Sequence, residues 1–145
     1  MAHSNPSDPE LKQLLTDATT IAIVGASSSP DKASYGIMQK LQSVGYRVIP
    51  VNPRETEILG ERSYPSLLDV PERIDIVDVF RRADDTPGIA DEAVKIGATA
   101  LWLQTGIVSE DAAARATAGG LTTVMDACIG ATHSLLRVAP RTKQD

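Results

Sequence analysis

Short β-branched or apolar runs alternate along the chain with segments whose apolar residues recur at helical spacing. Residues 20–25 (TIAIVG), 47–51 (RVIPV), 74–80 (IDIVDVF), 98–103 (ATALWL) and 121–125 (LTTVM) read as strands. Between them, Ile37, Met38, Leu41 and Val44 share one face of a helix predicted over 34–44, which Gly45 stops. Thr86 is placed to cap a helix over 87–96, with Pro87 in its first turn and Gly97 closing it. Ser109 is placed to cap 110–118, which Gly119 and Gly120 end. Ahead of the first strand, a short helix starts at Asp8, with Pro9 as its first helical residue and Leu11, Leu14 and Leu15 along one stripe.

Strands that alternate with helices of about ten residues predict an α/β fold with a parallel sheet covered on both faces. The expected strand order is 3-2-1-4-5, within a single domain over 1–145 whose ends, 1–7 and 137–145, are loose. Pro50 resists, because an inner strand would lose a ladder donor there; it requires a strand end or a bulge. Ligands of such sheets gather at the carboxyl ends of the strands, which directs attention to GASSSP, NPR, FRR, QTG and DAC.

Composition removes several classes of partner. Apolar residues make up 42% of the chain, but no apolar run approaches the ~18 residues that span a bilayer. The start, MAHSNPSDPELKQ, lacks the apolar centre of a secretory signal. Cys128 is the only cysteine, which excludes an internal disulfide and suits a reducing cytoplasm. A net charge of −5, from 14 Lys+Arg against 19 Asp+Glu, disfavours a nucleic-acid binder but leaves room for a small polyanion held locally.

The loop Gly25-Ala26-Ser27-Ser28-Ser29-Pro30 offers backbone amides to an oxyanion, with the helix starting near Ser34 adding its positive end. It also reads as a plain strand-to-helix turn with a serine cap, since it matches neither G-x-G-x-x-G nor a P-loop. After the second strand, Asn52-Pro53-Arg54 puts an apolar surface and a cation where NAD-binding domains place an acid. That composition favours a phosphorylated ribose, as in NADP or coenzyme A. Phe80, Arg81 and Arg82 flank the cleft after the third strand, while Gln104, Thr105 and Gly106 lie at the end of the fourth. Asp78, inside a buried strand, is read as a structural acid capping backbone donors, and Trp102 as packing beneath a helix. Cys128 reads as a buried hydrophobe or a reactive thiol. His133 has no triad partners, and no metal-ligand spacing exists.

Taken together, IAIVGAS, SYG, VIPVNP, LGERSYPSLLDVPERIDIVDVFRR, GATALWLQTGIVSEDAA and GLTTVMDAC resemble the small stand-alone CoA-binding proteins, whose domain is similar to the nucleotide-binding domain of the succinyl-CoA synthetase alpha subunit. The resemblance runs from about Thr20 to Cys128. It implies a Rossmann-like, doubly wound domain with coenzyme A as ligand. Carried over, Gly25, Ala26 and Ser27 contact the pyrophosphate, and Asn52, Pro53 and Arg54 lie by the adenosine phosphate. Phe80, Arg81, Gln104 and Gly106 flank the rest, and Ser28, Lys32, Tyr35, Arg82 and Cys128 complete the expected cofactor-binding set. The sequence departs from the family at Lys32-Ala33, where Arg-Pro is common, and at Ala127, where an arginine often stands. The expected function is a CoA or acyl-CoA binder without chemistry of its own, or a regulatory module. The alternatives are an NADP-linked reductase and a ligand-sensing interaction protein. No nucleophile–base pair is visible, no membrane or nucleic-acid partner is expected, and the sequence names no protein partner.

Overall fold

A computed structural model describes residues 2–141. In chain order the elements are α1 (Asp8–Asp17), β1 (Thr20–Val24), α2 (Ala33–Ser43), β2 (Arg47–Val51), β3 (Glu57–Ile58), β4 (Glu61–Arg62), β5 (Ile76–Val79), α3 (Thr86–Lys95), β6 (Ala100–Leu103), α4 (Glu110–Ala118), β7 (Thr122–Val124) and α5 (Ile129–Leu135). Short 3-10 turns occupy Leu67–Asp69 and Ala83–Asp85. β3 and β4 form a small antiparallel hairpin, and the other strands make one parallel sheet of five.

The sheet order is β2-β1-β5-β6-β7, which is 2-1-3-4-5 when only the sheet strands are counted. This corrects the expected 3-2-1-4-5. Residues 52–75 contain no helix able to cover a further strand beyond β2. Instead Tyr64 occupies that flank: its amide donates to the Pro50 carbonyl at 3.1 Å, and its carbonyl accepts from the Asn52 amide at 2.9 Å. The chain then rounds the β2 edge, burying Ile58 in one face of the sheet and Leu67 in the other, before β5 pairs with the free side of β1.

The same arrangement explains Pro50. β2 pairs with only one sheet strand, β1. The Pro50 carbonyl faces outward to Tyr64, so its missing N–H also falls on the outer flank, where proline is tolerated.

Each face has its own apolar cluster. α3 and α4 lay an alanine-rich surface (Ala90, Ala93, Ala112, Ala113, Ala116) on Val77, Val79, Leu101 and Leu103. α1, α2 and α5 cover Ile21, Ile23, Ile76 and Trp102 with Leu15, Met38, Leu41 and Ile129. Trp102 lies wholly beneath this second layer, as its alternation with Leu101 and Leu103 predicts, and its indole N–H donates to the Ala127 carbonyl at 2.9 Å.

Helix starts match the sequence unevenly. Ser109 accepts from the Ala112 amide at 3.1 Å, as expected. α1 is capped by Ser7 in a capping box with Glu10, so that Asp8 rather than Pro9 is its first helical residue. The Thr86 hydroxyl does not cap α3; it donates back to the Ala83 carbonyl at 2.6 Å, because the 3-10 turn brings that carbonyl within reach. The ends expected to be loose carry specific contacts: Asn5 exchanges hydrogen bonds with the Met125 backbone, and the Arg141 amide donates to the Val44 carbonyl at 2.7 Å. The same expectation for Met1 and residues 142–145 lies outside the described residues. Among the described residues, no helix is long and apolar enough to cross a membrane.

Candidate functional site

From β1 the chain crosses to β2 on one side, while the later strands build outward from β5 on the other. The winding therefore reverses beside β1 and β5, and the carboxyl ends of those strands frame a crevice. Gly25 follows β1 with φ at +91°, and a Cβ on it would stand 2.6 Å from the Phe80 carbonyl oxygen at the end of β5. Glycine is required there twice, for its conformation and for the close approach of the two strand ends.

Asn52, at the end of β2, joins this loop to its neighbour. Its side-chain N–H donates to the Ala26 carbonyl at 2.7 Å, and its Oδ1 accepts from the Arg54 amide at 2.8 Å. Ser27 accepts from the Ser29 amide at 3.0 Å, completing a compact turn ahead of α2. α2 itself begins with no side-chain cap and no acid in its first turn, so its leading amides and positive end face the loop.

The resulting cleft, about 440 Å³, is lined by Gly25, Ala26, Ser27, Lys32, Asn52, Pro53, Arg54, Phe80 and Arg81 among the residues singled out from sequence. A second cleft of about 610 Å³ is lined by Phe80, Arg81, Arg82, Gln104, Thr105 and Cys128, and its walls are mostly apolar. Ala33, Phe80 and Arg81 line both, so the two adjoin across the start of α2. The first has cations near exposed amides; the second is a slot suited to an apolar or flexible chain. Arg81 is partly occupied, its guanidinium pairing with Asp85 at 3.2 Å.

Ser28, Tyr35 and Gly106 line neither cleft. Ser28 turns outward to donate to Glu55 at 2.7 Å, and the Gly106 amide donates to Asp126 at 2.7 Å. Tyr35 stands half-buried in the first turn of α2. Sequence reasoning missed Ala33, Ser34, Gly36 and Ile37 on the wall presented by α2, together with Ile107. The small residues of ASYG were the available signal, since they let a ligand approach the helix start.

Gln104 is buried, and its Oε1 accepts from the Ile129 amide at 3.0 Å, fixing the start of α5 against the end of β6. Asp78 departs from its expected role. It is fully buried in β5, yet neither carboxyl oxygen has a hydrogen-bond partner among the described residues. It caps no backbone donors, because the amides around it are already engaged in the parallel ladders on both sides of β5. Burial, and secondarily the charge of Cys128, push its carboxyl well above the ordinary aspartate range. Burial also lowers the His133 imidazole below its ordinary value, helped by Lys40.

A family profile described as a CoA binding domain matches residues 19–134. The chain is 40% identical over 133 residues to YneT, an uncharacterized protein of Bacillus subtilis, covering 92% of this chain and 98% of that one. A hypothetical protein from Pyrococcus horikoshii superposes with a TM-score of 0.89 at 35% identity, covering 94% of this chain and 99% of that one. An ADP-forming acetate–CoA ligase of Methanocaldococcus jannaschii is 34% identical over 90 residues, which is 62% of this chain but 13% of the ligase. The chain is thus similar over nearly its whole length to small proteins, and to a limited part of a much larger enzyme.

Proposed function

The chain belongs to the CoA-binding domain family, and from that premise we propose that it is a ligand-binding module that holds coenzyme A, or an acyl-CoA, across the carboxyl ends of its Rossmann-like sheet. One observation carries the reading: a cationic cleft at the Gly25 loop adjoins an apolar slot across Ala33, Phe80 and Arg81. Coenzyme A has the matching division, a phosphorylated nucleotide at one end and a flexible thiol-bearing arm at the other.

In this assignment the diphosphate lies on the amides of Ala26 and Ser27 and on the uncapped start of α2, while Gly25, whose own amide donates to the Val51 carbonyl at 3.0 Å, supplies the turn that presents them. Lys32 and Arg54 supply charge to the phosphates, and Pro53 an apolar surface for the adenine. The arm then passes Phe80 into the slot between Ile37, Gln104 and Cys128. The fit rests on features of the chain: Gly25 admits no side chain, and a Cβ at Gly36 would meet nothing within 4 Å. The binding role is assigned without ligase chemistry, since the curated ligase that the chain resembles is matched over only 13% of its length.

Thermal unfolding with coenzyme A, dephospho-CoA and NADP tests the reading. A ligand that binds only the folded chain at a hundredfold excess over its Kd stabilises it by about 2.7 kcal/mol. Stabilisation by coenzyme A at concentrations up to the millimolar range is expected, and its absence would defeat the proposal.

A further inference from the structure

We propose that the apolar slot is an acyl site, so that the chain takes coenzyme A as the thioester of an aliphatic acid longer than acetate. This rests on the coenzyme A reading above and commits its distal half to one class of ligand.

Size gives the first argument. The slot measures about 610 Å³ and the cleft at the Gly25 loop about 440 Å³. Coenzyme A is divided the other way, with its bulk in the nucleotide and a slender arm beyond it. The larger cavity therefore receives the smaller half of the ligand, and the arm alone leaves room in it. A chain attached to the arm's sulfur extends into that room, because the arm enters at Ala33 and Phe80, where the two cavities meet.

The chemistry of the wall gives the second. The arm's amides and hydroxyl need polar partners, but the slot wall is almost wholly apolar. Of its polar side chains, Gln104 already accepts from the Ile129 amide at 3.0 Å, and Arg81 pairs with Asp85 at 3.2 Å. Ile37, Phe80 and Ile107 are only half-buried where they line the slot, and Val108, next in the chain, is exposed. The fold leaves this apolar surface uncovered, on the path that a chain beyond the thioester takes.

Gly36 is the third observation. It lies inside α2, where glycine weakens a helix, and its φ is not positive. A Cβ on it would meet nothing within 4 Å, so neither backbone conformation nor crowding requires glycine there. What glycine provides at this position is space in the slot.

Titration calorimetry on the full chain, with coenzyme A and with acetyl-, butyryl-, hexanoyl- and octanoyl-CoA, tests the assignment. Each buried methylene tightens binding by up to about fourfold, so octanoyl-CoA should bind at least about tenfold more tightly than acetyl-CoA. Succinyl-CoA, whose carboxylate would enter an apolar cavity, should bind more weakly than butyryl-CoA. Gly36→Leu, checked for cooperative unfolding, should reduce the octanoyl-to-acetyl ratio to below about threefold, since its side chain takes the space of the acyl group. Affinity that does not rise with chain length, or succinyl-CoA bound more tightly than butyryl-CoA, overturns the proposal on the wild-type chain alone. An unreduced ratio in a folded Gly36→Leu chain places the acyl group elsewhere and overturns it too. Equal binding of coenzyme A and all its thioesters sinks only the acyl site, and binding of none of them sinks the coenzyme A reading as well.

Discussion

The Asn52 side-chain amide donates to the Ala26 carbonyl at 2.7 Å, tying the loop after β1 to the loop after β2. The same side chain takes the Arg54 amide on its Oδ1, which orients Pro53 and Arg54 toward the cleft that the glycine loop opens. Adjacent parallel strands would place these loops near each other in any case. The asparagine fixes their spacing.

Asn52→Ala removes both bonds and leaves the Ala26 carbonyl without this donor. A loss of about 1–3 kcal/mol in stability is expected by urea denaturation, at roughly the net value of two hydrogen bonds. Coenzyme A binding by titration calorimetry should weaken as well. Unchanged affinity would show that the two loops need no tie.

Gly25→Ala forces a side chain into a backbone at φ +91° and against the Phe80 carbonyl. Strain and overpacking together should cost about 2–4 kcal/mol. A thermal melt equal to wild type would mean that the β1 and β5 ends part easily.

Arg54 is exposed, so Arg54→Ala should alter stability by no more than about 0.5 kcal/mol. If it holds the ribose phosphate, the substitution should cost about 1.5–3 kcal/mol of coenzyme A affinity, roughly tenfold to a hundredfold, while dephospho-CoA binding stays unchanged. Equal losses for the two ligands would place the 3′-phosphate elsewhere.

The strands could be read from the chain because a parallel strand buried on both faces is a continuous apolar run, as in Ile76–Val79 and Ala100–Leu103. Their lateral order could not, since it depends on Tyr64 pairing with the outer side of β2, a contact with no local signature. Pro50 carried part of that information, as the mark of an edge strand. α5 escaped notice because seven residues, IGATHSL, are too few to display a helical period. The glycine loop and NPR were legible as chemistry, but the outward turn of Ser28 depends on Glu55, and the burial of Asp78 without a partner depends on what covers it.

Asp78 and His133 should give stability opposite pH trends. The Asp78 carboxyl is raised in the folded chain, so between the unfolded value of 3.8 and the folded one the native state keeps a proton that the unfolded chain has released. Stability then falls as pH rises through that window. Asp78→Asn should therefore gain on wild type in urea midpoint as pH rises above the unfolded value of 3.8. A difference that stays constant as pH rises above 3.8 would show that Asp78 is ionised in the fold at no cost.

His133, packed edge-on against Tyr46 at 5.8 Å between ring centres, is held below its ordinary value of 6.5 by burial and by Lys40. The unfolded chain takes up this proton first as pH falls, so stability drops below 6.5 toward the folded value. His133→Phe should flatten that drop. A slope as steep as that of wild type would assign it to another group.

The most direct measurement is a crystal structure of the chain grown with coenzyme A. The binding account requires the diphosphate on the amides of Ala26 and Ser27 in the Gly25 loop, the ribose phosphate beside Arg54, and the arm running past Phe80 to Cys128. Coenzyme A bound at another surface, or excluded from that crevice at saturating concentration, would contradict it.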